Sequence, residues 1–336
     1  MAEPRFRGRW RRAWGSRRGR RHGRALLAVL ITAAVVVPLT AAAARPGIPA
    51  PAPAALAPPT PATLEKAYAA NRANAARAAR MAAAHGDRHR AAAERELAAP
   101  SRDLLAFDGR GAGRAVEVFG DLARADRVAV LVPGSDTSLD TFGRFRAGAA
   151  ALHRLLPQPA GTGPRTAVVA WLGYTTPGTV SPAVLTPGRA AQAAPALAEF
   201  VRGLRAVTAP GARFTLLCHS YGTVVCGRAA PHVDVTDLVL LGSPGTGADS
   251  AAGLRTRARV WAARGTDDWV ADVPHVSADL FGTTVGLGTD PLSPAFGARV
   301  FAAGSGGHSD YFRPGSPSLA NIARIVVGAA GEVTGG

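Results

Sequence analysis

The sequence predicts an α/β fold in which a mostly parallel central sheet carries helices on both faces. Short, nearly continuous apolar runs are typical of strands buried on both sides, and they alternate with helical stretches. The predicted strands are residues 127–132, 166–172, 214–218, 237–241, 258–263 and 298–303. The predicted helices are residues 139–156, 188–207, 222–230 and 318–327.

An antiparallel hairpin is expected at the edge of this sheet, ahead of the alternating part. Its strands are residues 104–108 and 115–121, which flank the glycine-rich turn 109–113. The strands and helices together place the folded domain at residues 101–331. We expect a monomer.

Composition and charge narrow the class of protein. The chain has 336 residues, of which 47% are hydrophobic, so it can bury a sizeable core and is not purely disordered. Its net charge is +16, but ten of its arginines fall in residues 1–24, on a targeting segment. The folded part has no basic stripe interleaved with aromatic residues, which argues against a nucleic-acid partner. Two cysteines exclude a disulfide-rich scaffold, and no histidine or cysteine spacing suggests a metal or another cofactor.

The N-terminus has the features of an export signal or membrane anchor. Residues 25–44 are uncharged and mostly apolar, and as a helix they would span about 30 Å. The basic residues 1–24 would stay in the cytoplasm, which places the remainder in the cell envelope or outside the cell. Ala42 to Ala44 fits a cleavage site, whereas the length of the run fits an uncleaved anchor. Both alternatives stay open, and the sequence favours the anchor.

Two further segments precede the folded domain. Residues 45–62 contain seven prolines and predict an extended linker. Residues 63–100 are rich in alanine and arginine, and they predict two helices separated near Gly86. Because the apolar stripe of these helices is thin, we expect them to be solvated or loosely docked.

The run that ends at Cys218 leads directly into His219, Ser220, Tyr221 and Gly222, and then into a helix. This is the layout of a nucleophile elbow, which presents a serine Oγ at the carboxyl edge of the sheet. The amide of Tyr221 would lie at a helix N-terminus, where it can stabilise an oxyanion. Cys218 stands where the motif G-x-S-x-G has its first glycine. The pattern predicts Ser220 as a nucleophile.

A serine nucleophile needs a base and a carboxylate that orients the base, in the chain order Ser, Asp, His. Asp268 follows the predicted strand 258–263, and His308 follows the predicted strand 298–303. The sequence therefore predicts the triad Ser220, Asp268 and His308.

Several alternatives remain open at these positions. Asp267, Asp272 or Asp310 could replace Asp268, and His275 is the reserve for the base. His219 is assigned a packing role.

The second oxyanion donor is expected in the loop after strand 127–132. The amide of Ser135, just past Gly134, is the first choice, and the amide of Asp136 is the reserve.

These motifs in combination resemble the exported alpha/beta-hydrolase family of actinobacteria that has long been catalogued as a domain of unknown function. The resemblance covers about residues 101–330 and implies the alpha/beta-hydrolase fold with a Ser, Asp, His triad. It rests on residues 133–134, 171–174, 219–222, 241–245, 268 and 307–311.

The two cysteines allow two states. Gly222 and Cys226 share the helix face that packs on the strand ending at Cys218. A disulfide between the cysteines would be possible outside the cell, whereas the sequence favours two reduced core thiols.

The function hypothesis is an exported serine hydrolase that cleaves an ester-type substrate through an acyl-enzyme. The substrate would be a small acyl compound or an envelope lipid, and residues 173–188 and 272–296 are expected to border the acyl pocket. The alternative is a non-catalytic, envelope-tethered binding protein on a hydrolase scaffold.

Overall fold

The computed structural model describes residues 47–157, 163–273, 277–280 and 283–336. Outside these residues lie the basic segment 1–24, the apolar segment 25–44 and His275. Within the described part, no helix combines the length and apolar character that a membrane crossing requires. Residues Ile48 to Gly336 form one compact unit.

An eight-stranded sheet forms the centre of this unit. Its strands are β1 (Asp103–Asp108), β2 (Arg114–Phe119), β3 (Arg127–Val132), β4 (Thr166–Leu172), β5 (Arg213–His219), β6 (Asp237–Leu241), β7 (Arg259–Ala263) and β10 (Arg299–Val300). Their spatial order is β1-β2-β4-β3-β5-β6-β7-β10. β2 runs opposite to the other seven strands, so the mostly parallel sheet and the edge hairpin are confirmed.

The helices lie on both faces of the sheet, as predicted. They are α1 (Leu64–Ala84), α2 (Arg88–Leu97), α3 (Phe142–Leu155), α4 (Gly188–Arg205), α5 (Gly222–Ala229) and α6 (Pro317–Val327). Helices α4 and α5 pack into one core, and α3 and α6 pack into the core of the opposite face. Every residue of β4 and β6 is buried, which explains why these strands are apolar without alternation.

The expectation that α1 and α2 are solvated or loosely docked is wrong. Ala75, Ala78 and Ala82 of α1 are completely buried, and the Asn71 side chain donates a hydrogen bond of 2.8 Å to the Leu105 carbonyl of β1. Because alanine adds little apolar area, the apolar stripe of this helix is weak in the sequence. The small side chains nevertheless let the helix lie close to the sheet. Gly86, with φ of +92°, separates the two helices as predicted.

The start of the proline-rich segment also contacts this unit. Ala50 packs against the core, and the Ala52 carbonyl accepts a hydrogen bond of 3.0 Å from the Asn74 side chain. Residues 50–52 of the predicted extended linker are therefore held against the domain, a contact that the sequence did not predict.

Two differences concern the C-terminal half. The predicted strand 298–303 is shorter in the structure, where β10 ends at Val300. Beyond this residue, Phe301 forms a bridge with Gly335 and the Ala302 amide donates to the Thr334 carbonyl, so the chain leaves the sheet. The predicted loop 272–296 contains a small hairpin, formed by β8 (Ser277–Leu280) and β9 (Thr283–Gly286).

Candidate active site

Ser220 lies in the tight turn between β5 and α5. Its φ is 54°, a left-handed backbone conformation that is uncommon for residues other than glycine and often marks functional sites. Its amide donates to the Leu241 carbonyl over 2.9 Å, and its carbonyl accepts from the Thr223 amide over 2.9 Å. The elbow is therefore formed despite Cys218 at the usual glycine position.

Two glycines let the elbow and the loop after β3 approach each other. A Cβ on Gly222 would lie 2.6 Å from the Pro133 carbonyl oxygen, and one on Gly134 would lie 2.5 Å from the Ser220 Cβ. A side chain at Gly222 would displace the backbone of the loop after β3, and a side chain at Gly134 would displace Ser220. The Tyr174 hydroxyl donates to the Pro133 carbonyl over 2.7 Å and holds the loop in place.

The structure brings Ser220, His308 and Asp268 together. His308 Nε2 lies 2.8 Å from the Ser220 Oγ, and His308 Nδ1 lies 2.9 Å and 3.1 Å from the two carboxylate oxygens of Asp268. A carboxylate at Nδ1 favours the tautomer that carries its proton there, which leaves the Nε2 lone pair facing the serine hydroxyl. This geometry would allow Ser220 to act as a nucleophile, His308 as its base and Asp268 as the group that orients the base.

Asp268 is buried, and its charge is stabilised by three donors. Burial alone would raise its pKa, but hydrogen bonds from His308, the Tyr311 hydroxyl and the Val270 amide bring the pKa below its ordinary value. Burial and the neighbouring carboxylate raise the pKa of Tyr311, so that hydroxyl keeps its proton. Asp268 therefore remains an anion at neutral pH.

His219 positions the backbone of His308. Its Nε2 lies 2.6 Å from the His308 carbonyl oxygen, and because a carbonyl can only accept, Nε2 is the donor. Burial, together with the nearby His308 ring, lowers the pKa of His219 to about 4, so the ring is neutral at neutral pH. The Trp269 ring also lies beside the His308 ring, with 4.8 Å between their centroids.

Sequence reasoning gave His219 only a packing role and gave Tyr311 no role. No spacing rule links these side chains to their partners, and the only signal was their presence in the family motifs 219–222 and 307–311.

The oxyanion candidates differ in their availability. The Asp136 amide already donates to the Pro177 carbonyl over 3.0 Å, so the Ser135 amide is the better oxyanion candidate of the two. Ser135 lines the cavity beside Ser220, and Tyr221 is the residue from which α5 begins. Asp136 has φ of 57°, and its carboxylate accepts the Thr179 amide over 3.1 Å. These contacts fix the turn that follows Ser135.

The reserve carboxylates have other contacts. Asp267 is exposed and accepts from the Thr266 hydroxyl over 3.3 Å. Asp310 accepts from the Gly307 amide over 2.9 Å and so shapes the loop that carries His308. Asp272 ends the short helical turn after Asp268. None of the three bonds to His308 among the described residues.

Cys218 and Cys226 form a disulfide, so the preference for two reduced thiols is wrong. Cys226 lies one helical turn after Gly222, on the face of α5 that packs against β5. The two Cα atoms are 6.4 Å apart, within the range that a disulfide spans. Both cysteines are fully buried, and their bond joins the two elements on either side of Ser220.

A cavity of about 630 Å³ opens beside Ser220 and His308. Phe145, Trp269 and Phe312 give it apolar walls. The predicted pocket loop 173–188 contributes Thr179. The other predicted pocket loop, 272–296, contributes no described residue to the lining.

Comparison with known proteins places these features in a family. A family model described as alpha/beta hydrolase matches residues 108–278, just over half of the chain. An uncharacterized protein of Mycobacterium tuberculosis strain H37Rv is 35% identical over an alignment of 254 residues, with 67% of this chain and 38% of the relative covered. An uncharacterized protein of Mycobacterium bovis is 33% identical over 170 residues, covering 47% of this chain and 63% of that protein. The chain thus spans well under half the length of the first relative.

Solved structures with a similar fold include two hydrolases. Esterase PE8 has a TM-score of 0.41 at 16% identity, with 62% of this chain and 95% of that chain covered. A serine hydrolase without a lid from Xanthomonas campestris has a TM-score of 0.39 at 17% identity, with 64% and 86% covered.

Proposed function

Because this chain belongs to the alpha/beta hydrolase family, we propose that it is an exported serine hydrolase that cleaves carboxylic esters through an acyl-enzyme. The observation that carries this proposal is the continuous contact from the Ser220 Oγ through His308 to Asp268. It supplies a nucleophile, a base with a free lone pair and a buried anion in hydrogen-bonding distance.

The first half of the reaction forms the acyl-enzyme. His308 Nε2 takes the proton from Ser220 as Oγ attacks the ester carbonyl, and Asp268 stabilises the imidazolium. The amides of Tyr221 and Ser135 hold the oxyanion. The tetrahedral intermediate collapses as the carbon–oxygen bond to the alcohol breaks, and His308 gives its proton to the departing alcohol.

The second half restores the enzyme. His308 removes a proton from a water molecule as that water attacks the acyl-enzyme carbonyl. When the second tetrahedral intermediate collapses, the bond to Ser220 breaks and His308 returns the proton to Oγ. The products are a carboxylic acid and an alcohol.

The proposed location rests on two features. Residues 25–44 are apolar and follow a basic segment, as expected for an export signal or a retained anchor. The Cys218–Cys226 disulfide supports export because disulfides persist mainly in oxidising compartments. Substrates would therefore be met in the cell envelope or outside the cell, as small acyl compounds or envelope lipids.

Cys218 at the glycine position of the motif is the one feature that would favour the alternative of a non-catalytic binding protein, because it could distort the elbow. The turn at Ser220 nevertheless has the left-handed backbone of an elbow, with Cys218 held in a disulfide. We therefore carry this alternative only as an outcome of the test below.

A fluorophosphonate probe tests the proposal, because it reacts with an activated serine. We expect covalent labelling of Ser220, and we expect Ser220→Ala to abolish labelling and to lower kcat/KM for a short-chain nitrophenyl ester by ~10³-fold or more. Ser101→Ala, at an exposed turn, is the matched control and should behave as wild type. A folded protein that is neither labelled nor able to hydrolyse esters would favour the binding protein.

A further inference from the structure

The cavity beside Ser220 carries excess positive charge. Arg144, Arg154 and Arg313 line it, whereas Asp136 is its one carboxylate among the described lining residues. The Asp136 carboxylate is already engaged by the Thr179 amide over 3.1 Å. A negatively charged ligand would thus meet three cations and one anion that is partly satisfied.

Arg144 and Arg313 differ from many other arginines of this chain. Arg90, Arg146 and Arg259 each form an ion pair of 2.9 Å or less with a carboxylate. Within the described part of the chain, neither Arg144 nor Arg313 has such a partner, and both side chains are exposed to the cavity mouth. Their charges are therefore available to a ligand.

An arginine at position 144 does not stabilise the helix that carries it. It lies in the first turn of α3, where the helix dipole disfavours a cation. Asp140, four residues earlier, is bound to Arg90 over 2.7 Å and is not available to it. Arg154 lies in the last turn of the same helix, where the helix dipole favours a cation. Its position can therefore be explained by helix stability alone.

Arg313 lies on the loop that carries His308. Its amide donates to the Asp310 carbonyl over 2.9 Å, which fixes the backbone at this position. Its neighbour Phe312 packs against Gly148 of α3, where an added Cβ would lie 3.1 Å from the Phe312 Cβ. This contact brings the Arg313 loop against the helix that carries Arg144.

Arg144 and Arg313 are each next in sequence to an aromatic residue that lines the same cavity. Phe145 follows Arg144, and Phe312 precedes Arg313. The cavity therefore offers an apolar wall together with guanidinium groups, which bind carboxylate and phosphate well.

We propose that this cavity selects esters that carry an anionic group, a carboxylate or a phosphate, and that Arg144 and Arg313 bind this group. The turnover of such esters rests on the proposed function, but binding of the anion does not. The two can therefore be tested separately.

Binding is measured first, on the Ser220→Ala variant, by calorimetry. Octanoate and octanamide have the same chain length and differ in charge, so we expect octanoate to bind about 5- to 10-fold more tightly at low salt. Adding Arg144→Gln and Arg313→Gln should remove this preference. The control adds Arg95→Gln and Arg202→Gln, which remove two charges from exposed positions outside the cavity lining and should retain it.

Hydrolysis then distinguishes the two sources of the anion. One pair is a 1-acyl-glycerol-3-phosphate and the matching monoacylglycerol, and the other is monoethyl suberate and ethyl octanoate. We expect the double variant Arg144→Gln, Arg313→Gln to raise KM about 5- to 10-fold for the anionic member of the preferred pair. Its kcat, and the kinetics of the neutral members, should stay within about twofold of wild type.

Equal binding of octanoate and octanamide to the Ser220→Ala variant would overturn this inference. So would a double variant that weakens charged and neutral ligands alike, since that is the effect of a damaged pocket. If Ser220 is not labelled and no ester is cleaved, the proposed function fails, and the binding comparison alone decides the anion site.

Discussion

At the scale of single residues, a neutral isostere cannot fill the role that we propose for Asp268. An asparagine can donate its amide hydrogen to His308 Nδ1, which favours the tautomer with the proton on Nε2. That nitrogen then cannot accept the serine proton. We expect Asp268→Asn to lower kcat/KM for a short-chain nitrophenyl ester by ~10³- to 10⁴-fold, with the fold retained.

The neighbouring carboxylate provides the matched control for this substitution. Asp267 is exposed and makes no contact with His308 among the described residues, so Asp267→Asn should stay within about twofold of wild type. Equal losses in both variants would show that the loop, and not the orientation of His308, matters.

Chain order was sufficient to predict that Ser220, Asp268 and His308 lie together, but not which groups surround them. Ser220, Asp268 and His308 each follow a strand of one parallel sheet, and such positions meet at the same edge. The contacts of Tyr311 with Asp268 and of His219 with the His308 carbonyl depend on how a glycine-rich loop folds back. That path has no periodic signal in the sequence.

At the scale of elements, the buried strands and the two alanine-rich helices were predicted, but the packing of those helices against the domain was not. The runs that became β4 and β6 are apolar throughout because both faces are covered. In α1, Leu64 and Tyr68 are the only large apolar side chains that are buried. The other buried positions are alanines and two asparagines, whose side chains donate to backbone carbonyls. Hydrophobicity alone cannot distinguish such a helix from a solvated one, since alanine occurs in both.

Helix α2 buries a carboxylate that makes stability depend on pH. Glu94 is 1% exposed, and its Oε2 has no hydrogen-bond partner among the described residues. Burial raises its pKa to about 7 from an ordinary value of 4.5, although Arg90 opposes this shift. As pH rises between these values the unfolded chain loses its proton first, so the folded state loses stability over this window.

Glu94→Gln cannot ionise and should not show this loss. Between about pH 5 and about pH 8, we expect the free energy of unfolding of the variant to increase relative to wild type by about 2 kcal/mol. Urea unfolding at both pH values measures this difference. Glu96→Gln, at an exposed position of the same helix, is the control and should track wild type. A constant difference between wild type and Glu94→Gln would show that the buried carboxyl does not titrate in this range.

At the scale of the whole molecule, the proposed export and the geometry of the active site are connected by one covalent bond. The Cys218–Cys226 disulfide closes a short loop, with a sequence separation of 8, around the nucleophile. A cross-link of this loop length contributes roughly 2–3 kcal/mol by restricting the unfolded chain. A chain kept in a reducing cytoplasm would lack this contribution.

Deletion of residues 25–44 tests this connection. After denaturation without reductant, the full chain should resist alkylation at both cysteines, whereas the cytoplasmic deletion variant should take up two alkyl groups, measured by mass spectrometry. The deletion variant should also unfold at lower urea, by roughly 2–3 kcal/mol in the free energy of unfolding. With Cys218→Ala and Cys226→Ala in both backgrounds, this difference should vanish. Full oxidation of the deletion variant would separate the disulfide from export, because the bond would then form without passage across the membrane.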